Sequence, residues 1–422
     1  MIRYKVLICV CLLLGIANMG HAQTSTNSPY TRYGFGQLSD QNFGNSVAMG
    51  GISYGLRNGL QVNASNPASY SAVDSLTFIF DFGMSLQNAN FKEGKVKTNA
   101  KNSSVDYIAM QYRLYNRMGM SFGFLPYSSV GYSMSHTSNV TSDDNTSTTA
   151  TQSYSGEGGL QQVYVGLGFK ALDNLSIGVN LSYLYGTITH TAGTIFSNSN
   201  AFTSSRTHKI SVSDYKLDFG VQYTQKINKK SQINVGAVYS LGHELNSKGY
   251  KYIQKYTSSG TIATQTADTI PDAFALPHTF GAGVTYVYDN RLTIGLDYTL
   301  QKWQDTKFFN EKGSFENRSK IALGAEFLPD PLSNSFFKNI RYRAGLYYST
   351  PYAKINGMEG NKEFGASFGF GLPIVRNKSI LNISGQYVKV SPKMKGMLEE
   401  TYLRINIGLT FNERWFMKWK VD

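Results

Sequence analysis

The sequence predicts an all-β protein, a transmembrane antiparallel β-barrel of about fourteen strands, on three observations. Apolar and polar residues alternate with period two over segments of ten or more residues. The connections between those segments alternate between tight turns and long polar stretches. The chain opens with an export signal, and after it no apolar run is long enough to cross a bilayer as a helix.

The export signal, residues 1–22, has a charged start at Arg3 and Lys5, an apolar run from Val6 to Ile16, and the small-residue end Gly20-His21-Ala22 before Gln23. Both cysteines, Cys9 and Cys11, lie in it. Removal would leave a chain with no disulfide, thiolate metal site or cysteine nucleophile. It would also leave 38 basic against 27 acidic side chains. The basic residues are scattered over turns and alternate strand positions and form no stripe, so nucleic acid is not an expected partner. Outer-membrane lipid and lipopolysaccharide headgroups at the barrel rims are.

The barrel is expected over residues 75–411. Leu292, Ile294, Leu296, Tyr298 and Leu300 are apolar, while Thr293, Gly295, Asp297, Thr299 and Gln301 between them are small or polar. Leu403 to Phe411 and Phe78 to Met84 repeat the pattern, with Ile79 as the exception. Successive side chains of a strand point to opposite faces, so each strand has one oily and one wet face. The segments begin near Ser75, Ser103, Met118, Leu160, Leu175, Tyr215, Gln232, Thr279, Leu292, Arg318, Ile340, Glu363, Ile380 and Tyr402. Their length exceeds the five or six residues usual in soluble sandwiches and suits tilted strands crossing a membrane.

Tight turns fall at Asn116-Arg117, Asp173-Asn174, Asn228 to Lys230, Asp289-Asn290 and Arg376-Asn377. Long loops are expected over Asn88 to Asn102, His136 to Gly159, Thr191 to Arg206, Gly242 to Pro277 and Asp305 to Asn317, with Pro329 to Asn339 as a longer member of the short series. Short periplasmic turns and long outer loops are the habit of outer-membrane barrels.

Residues 23–74 lack the strand texture. They contain Ser46-Val47-Ala48-Met49-Gly50-Gly51, then Tyr54-Gly55-Leu56-Arg57-Asn58, then Asn63-Ala64-Ser65-Asn66-Pro67-Ala68. Here the chain resembles the FadL-type outer-membrane channels for long-chain fatty acids and other hydrophobic compounds. The opening Ser28 to Gly34 and the tail after Phe411 look like the branch found in Bacteroidota. The resemblance implies an N-terminal hatch folded into the lumen, with Met49, Gly50, Gly51, Asn66, Pro67 and Ala68 as its motif. Glycines at 50, 51 and 55 would let backbone run close to the wall, and Phe35, Phe43, Met49, Tyr54 and Tyr70 are the candidate contacts to an apolar ligand.

The third strand carries Pro126 after Gly119, Gly123 and outward Met118, Met120, Phe122 and Phe124. Proline has no amide hydrogen to give a ladder, and FadL-type channels resemble this strand in carrying a kink that opens the wall. Gly123 and Pro126 are therefore the candidate lateral opening. The alternative places Pro126 at the strand's outer end, where no bond is lost.

At the other end, Asn406 to Phe411 resembles the signal read by the outer-membrane insertion machinery, and residues 412–422 continue as an aromatic and basic periplasmic tail. No catalytic signature is present. His136, His190, His208, His243 and His278 fall in expected loops or strand ends without metal-ligand spacing, so no metal, cofactor or enzymatic activity is expected. Asp81, Arg113, Asp218, Asp297, Glu326, Arg341, Arg343 and Arg404 are expected to face the lumen as ion pairs. Two functions remain: passive uptake of a hydrophobic small molecule, and accessory work for a secretion or outer-membrane assembly complex.

Overall fold

The computed structural model describes residues 26–414 except 142–146, 198–200, 258–259, 273, 309–312, 332, 334, 356, 376–378 and 394–395. The export signal and tail residues 415–422 lie outside the described residues, as do residues 142–146 within the expected loop from His136 to Gly159.

Fourteen antiparallel strands form a closed ring. They are β1 (Thr77–Glu93), β2 (Val96–Tyr115), β3 (Met118–Thr141), β4 (Ser147–Lys170), β5 (Leu175–Phe196), β6 (Thr203–Lys226) and β7 (Ser231–Ser240) in the first half. In the second are β8 (Thr279–Tyr288), β9 (Leu292–Gln301), β10 (Arg318–Phe327), β11 (Arg341–Ser349), β12 (Lys362–Val375), β13 (Ser379–Ser391) and β14 (Glu399–Arg414). Each pairs with the next, and β14 closes on β1 from Arg414 opposite Thr77 to Glu399 opposite Lys92. Closure pairs every strand with both neighbours, leaving a sheet edge only where a ladder stops short of its strand's end. No helix among the described residues is long and apolar enough to cross a membrane.

The alternation in the sequence sets which side faces out. Leu296 and Tyr298 are nearly half exposed while Asp297 between them is buried, and Ile405 and Leu403 are exposed on β14. The same outward phase gives Leu181, Leu323, Leu346 and Phe368, an apolar belt of the kind that faces lipid. The tight turns at Asn116-Arg117, Asp173-Asn174, Asn228 to Lys230 and Asp289-Asn290 fall at one end, and Arg376-Asn377 lies outside the described residues. Asp289 and Asn290 both take left-handed φ near 52° there, which Asp and Asn tolerate better than other side chains.

The expected long loops differ from the structure. Asn88 to Asn102, His136 to Gly159 and Thr191 to Arg206 are hairpins laddered nearly to their tips. Gly242 to Pro277 holds a further hairpin, Ser247–Tyr256 with Ile262–Pro271, which extends the sheet beside β6. These stretches are rich in polar residues, with apolar side chains such as Phe91, Ala150 and Leu245 only scattered among them, so they show no sustained apolar alternation although their backbones pair. Asp305 to Asn317 does remain irregular among its described residues. Three histidines expected in loops or at strand ends also lie within ladders, His136 opposite Gln152 on β3 and β4, and His190 opposite His208 across β5 and β6.

The two ends give a direct topology test. A cysteine at exposed Thr266 in the added hairpin should react with an impermeant thiol reagent on intact cells. One at exposed Asn290 should react only after the outer membrane is opened. The reverse pattern would invert the barrel.

Residues 26–73 form short pieces: 3-10 turns at Pro29–Arg32 and Pro67–Ala72, a two-residue strand Gln37–Leu38, and a helical turn Gly44–Ala48. They contact the buried face of strands on all sides of the ring, and wall glycines make room for them. A Cβ at Gly119, Gly178, Gly236, Gly324 or Gly345 would overlap the backbone of Tyr70, Pro67, Tyr54, Met49 or Gly50 respectively. Within the segment, Gly50 and Gly51 take positive φ, 69° and 91°, and Gly50 runs against the backbone of Leu323 and Leu346.

Candidate functional site

Inward polar residues of the strands grip the N-terminal segment. On β9 the Asp297 carboxylate accepts from the amides of Ser53 at 2.6 Å and Tyr54 at 2.8 Å. On β6 the Gln222 amide donates to the carbonyls of Tyr54 at 2.9 Å and Leu56 at 3.0 Å. On β5 Asn180 donates to the Ala64 carbonyl at 2.9 Å and accepts from the Tyr70 hydroxyl at 3.0 Å. Ser367 on β12 meets the Ala48 carbonyl and the Gly50 amide, and the Tyr107 hydroxyl on β2 accepts from the Gly44 amide. Asn66 works from the segment's side. Its oxygen caps the turn at the Ala68 amide, 3.2 Å away, while its nitrogen donates to the carbonyls of Tyr54 and Val221.

Of the five candidate ligand contacts, four are wholly buried in packing. Phe35 stacks on Phe274 at 4.5 Å and meets Trp303 at 5.3 Å. Phe43 rests on Tyr107 at 4.3 Å, Met49 abuts Gly324 and Gly345, and Tyr70 sits with Tyr164. Tyr54 differs: it lines a cavity, its hydroxyl 2.8 Å from that of Thr299.

That cavity has a volume of about 150 Å³. Asp40, Asp218, Asp297, Lys216, Arg318 and Lys320 line it, with Lys320 on Asp40 at 2.5 Å and Lys216 on Asp218 at 2.5 Å. Leu38, Leu125, Tyr127 and Leu276 supply an apolar side. A second cavity of about 130 Å³ shares Arg318 and holds Glu363 and Glu400. Both fall short of the roughly 300 to 1,000 Å³ of ordinary small-molecule pockets, and their charges are those of a wet interior. Among the described residues no three His, Cys, Asp or Glu side chains gather as a metal site.

The expected inward ion pairs resolve unevenly. Glu326 binds Arg341 at 2.7 Å and Arg343 at 2.6 Å. Arg343 also donates to Asn382 at 2.5 Å, from which Gln61 and Thr410 lead on to Asp81. Asp297 serves backbone amides, Arg404 donates to Gln87 and Arg113 to the Val73 carbonyl, so these three act through neutral partners. The residues that sequence reading passed over, Asn180, Gln222, Ser367 and Asn382, carry one signal in retrospect: each is polar on the inward phase of its strand.

Pro126 lies in the middle of β3, which runs on to Thr141, so the placement at the strand's end does not hold. The β2–β3 ladder stops at Ile108 opposite Phe124, with Gly123 one position inside the stop. Pro126 still faces Gln161 of β4, but the register shifts before Ser128. Beyond the stop, Gln37 and Leu38 pair with Ser129 and Ser128, the Ser39 amide donates to the Tyr127 carbonyl at 2.9 Å, and Gln41 reaches the Pro126 carbonyl at 3.4 Å. The ring is therefore unzipped between β2 and β3 at this level, and the N-terminal segment lies behind the gap.

A family model described as BamG matches residues 1–422. No curated protein matches the chain. Among solved structures, the chain is similar to the CymD monoaromatic hydrocarbon channel at 12% identity and TM-score 0.59, covering 91% of this chain and 100% of that one. It is similar to the Ralstonia pickettii toluene transporter TbuX at 12% identity and TM-score 0.59, over 89% and 99% of the two chains. A Pseudomonas aeruginosa FadL homologue gives 12% identity and TM-score 0.58 over 90% and 99%. At such identity the likeness is one of fold, that of the FadL-type outer-membrane channels.

Proposed function

The chain belongs to the BamG family, and from that premise we propose that it is an accessory barrel of an outer-membrane assembly machine, with its lumen held shut by residues 23–74 acting as a fixed hatch. The observation that carries this reading is the grip on the N-terminal segment. Its backbone is hydrogen-bonded by inward side chains of β2, β5, β6, β9 and β12, and the two cavities beside it are small and charged. A pore for apolar solutes needs a greasy path. Such a path is poorly served by cavities walled with Asp40, Lys216, Asp218 and Lys320. The family's name points to assembly work, and the surplus of basic over acidic residues suits anionic lipid and lipopolysaccharide at the rims. No catalytic step is proposed.

Purification from native membranes in mild detergent tests this. Stoichiometric outer-membrane partners should accompany the barrel. A lone monomer with lipid-like density in its lumen would overturn the reading in favour of transport.

The second reading, passive uptake of a hydrophobic small molecule, is favoured by the stopped ladder at Gly123 and Pro126. An apolar ligand would leave sideways there. On that reading, replacing Pro126 by Val and Gly123 by Thr slows uptake without reducing assembly, and unchanged uptake by the folded double variant would remove it.

A further inference from the structure

The gap between β2 and β3 has two lips, and only one is dressed. The β3 lip bonds to residues 37–41 of the N-terminal segment. From Val96 to Tyr107 the β2 lip is laddered to β1 on one side. Among the described residues no strand pairs with its other side, and no backbone hydrogen bond reaches it there. A side-chain hydrogen bond from Asn27 to Asn102, 2.9 Å, crosses the gap.

This bare edge begins inside the apolar belt. Outward apolar residues on β1 reach Leu86, which faces Ser103, whereas the β2–β3 ladder has already ended at Ile108. In lipid, unpaired backbone groups are costly. An acyl chain has no donors or acceptors to offer them.

We propose that the β2 edge from Val96 to Tyr107 receives an extended strand of a partner protein by β-augmentation. The proposal rests on the accessory reading and names the surface through which that work is done. Three observations choose a polypeptide strand as the occupant. Only a backbone repeats donors and acceptors at the spacing of the edge. The facing lip already accepts such a strand from this chain, Gln37–Leu38 on Ser128 and Ser129. Four exposed lysines, Lys92, Lys95, Lys97 and Lys101, outnumber the one exposed carboxylate, Glu93, around the edge, which suits a strand carrying acidic residues.

The experiment uses the full-length protein in native membranes, with a photo-crosslinking residue at Ser103 and, as control, at outward Leu323 on β10. Ser103 should yield an adduct with a polypeptide of discrete mass, and Leu323 should not. A proline scan then reads the phase. Along a strand, successive residues direct their amides alternately to the two sides, so of Asn99→Pro, Ala100→Pro, Lys101→Pro and Asn102→Pro one alternate pair breaks the ladder to β1. The other pair points into the gap. That second pair should keep the heat-modifiable barrel and lose the Ser103 adduct. An adduct that survives both gap-facing prolines, or one made only of phospholipid, overturns the proposal. If partners copurify but Ser103 captures no protein, strand docking fails while the accessory reading stands. If neither occurs, both fail.

Discussion

Glutamine in place of Glu326 is expected to destabilise the barrel by about 3–5 kcal/mol, the cost of stranding a buried charge. Glu326 on β10 faces Arg343 on β11 in register, and the Arg343 side chain is 0% exposed. Arg341 loses its partner too, but it retains some solvent contact. The damage spreads because Arg343 passes its grip to Asn382, and Asn382 shares Gln61 with Thr410. One wall charge thus helps hold the N-terminal segment. Urea titration of the folded, heat-modifiable band should show a clear drop in midpoint. Replacing both members with apolar groups, Glu326→Leu with Arg343→Met, removes the stranded charge and should recover most of the loss. A single variant as stable as the parent would mean that water already solvates this guanidinium.

Leucine at Gly236 is expected to convert a closed barrel into a conducting one. A side chain there would occupy the position of the Tyr54 carbonyl oxygen, with Gly55 directly beside it. The neighbouring Val235 faces outward, so Val235→Leu serves as the control that changes the same strand without entering the lumen. Overpacking costs about 1–3 kcal/mol, and in this direction it is relieved by expelling residues around Tyr54 rather than by breaking the β7 ladder. In planar bilayers Gly236→Leu and a deletion of residues 26–73 should both show sustained open currents that the parent and Val235→Leu lack. A barrel of this strand number is wide enough for such a channel once its contents are gone. Equal currents in all four would show that the segment does not obstruct the lumen.

The wall was readable because lipid demands it. Period-two alternation at Leu292 to Gln301 gave strand, phase and inward Asp297 together, and tight-turn signals such as Asp289-Asn290 placed the reversals. Legibility failed wherever apolar residues are only scattered, as at Thr191 to Arg206, where ladder pairing leaves no trace in hydrophobicity. It failed also for partners across the lumen. That Asp297 meets the amides of Ser53 and Tyr54, or that Gln222 meets Leu56, depends on how the strands are staggered around the ring, and a single sequence does not encode stagger locally. Pro126 shows a middle case. Its missing amide marked an interruption, but the bare stretch lies on the neighbouring strand β2, whose own sequence carries no such mark.

The glycine notches carry a further consequence for how the molecule is made. The N-terminal backbone sits in recesses at Gly119, Gly178, Gly236, Gly324 and Gly345, contributed by strands from both halves of the chain. Those recesses come together only on the run of strands from β3 to β11, so the segment's full seat exists only once most of the wall has paired. The first-made piece is therefore expected to find its full seat late, after the strands that carry these recesses have paired. A chain lacking it is expected to close on a circumference chosen by strand hydrogen bonding alone.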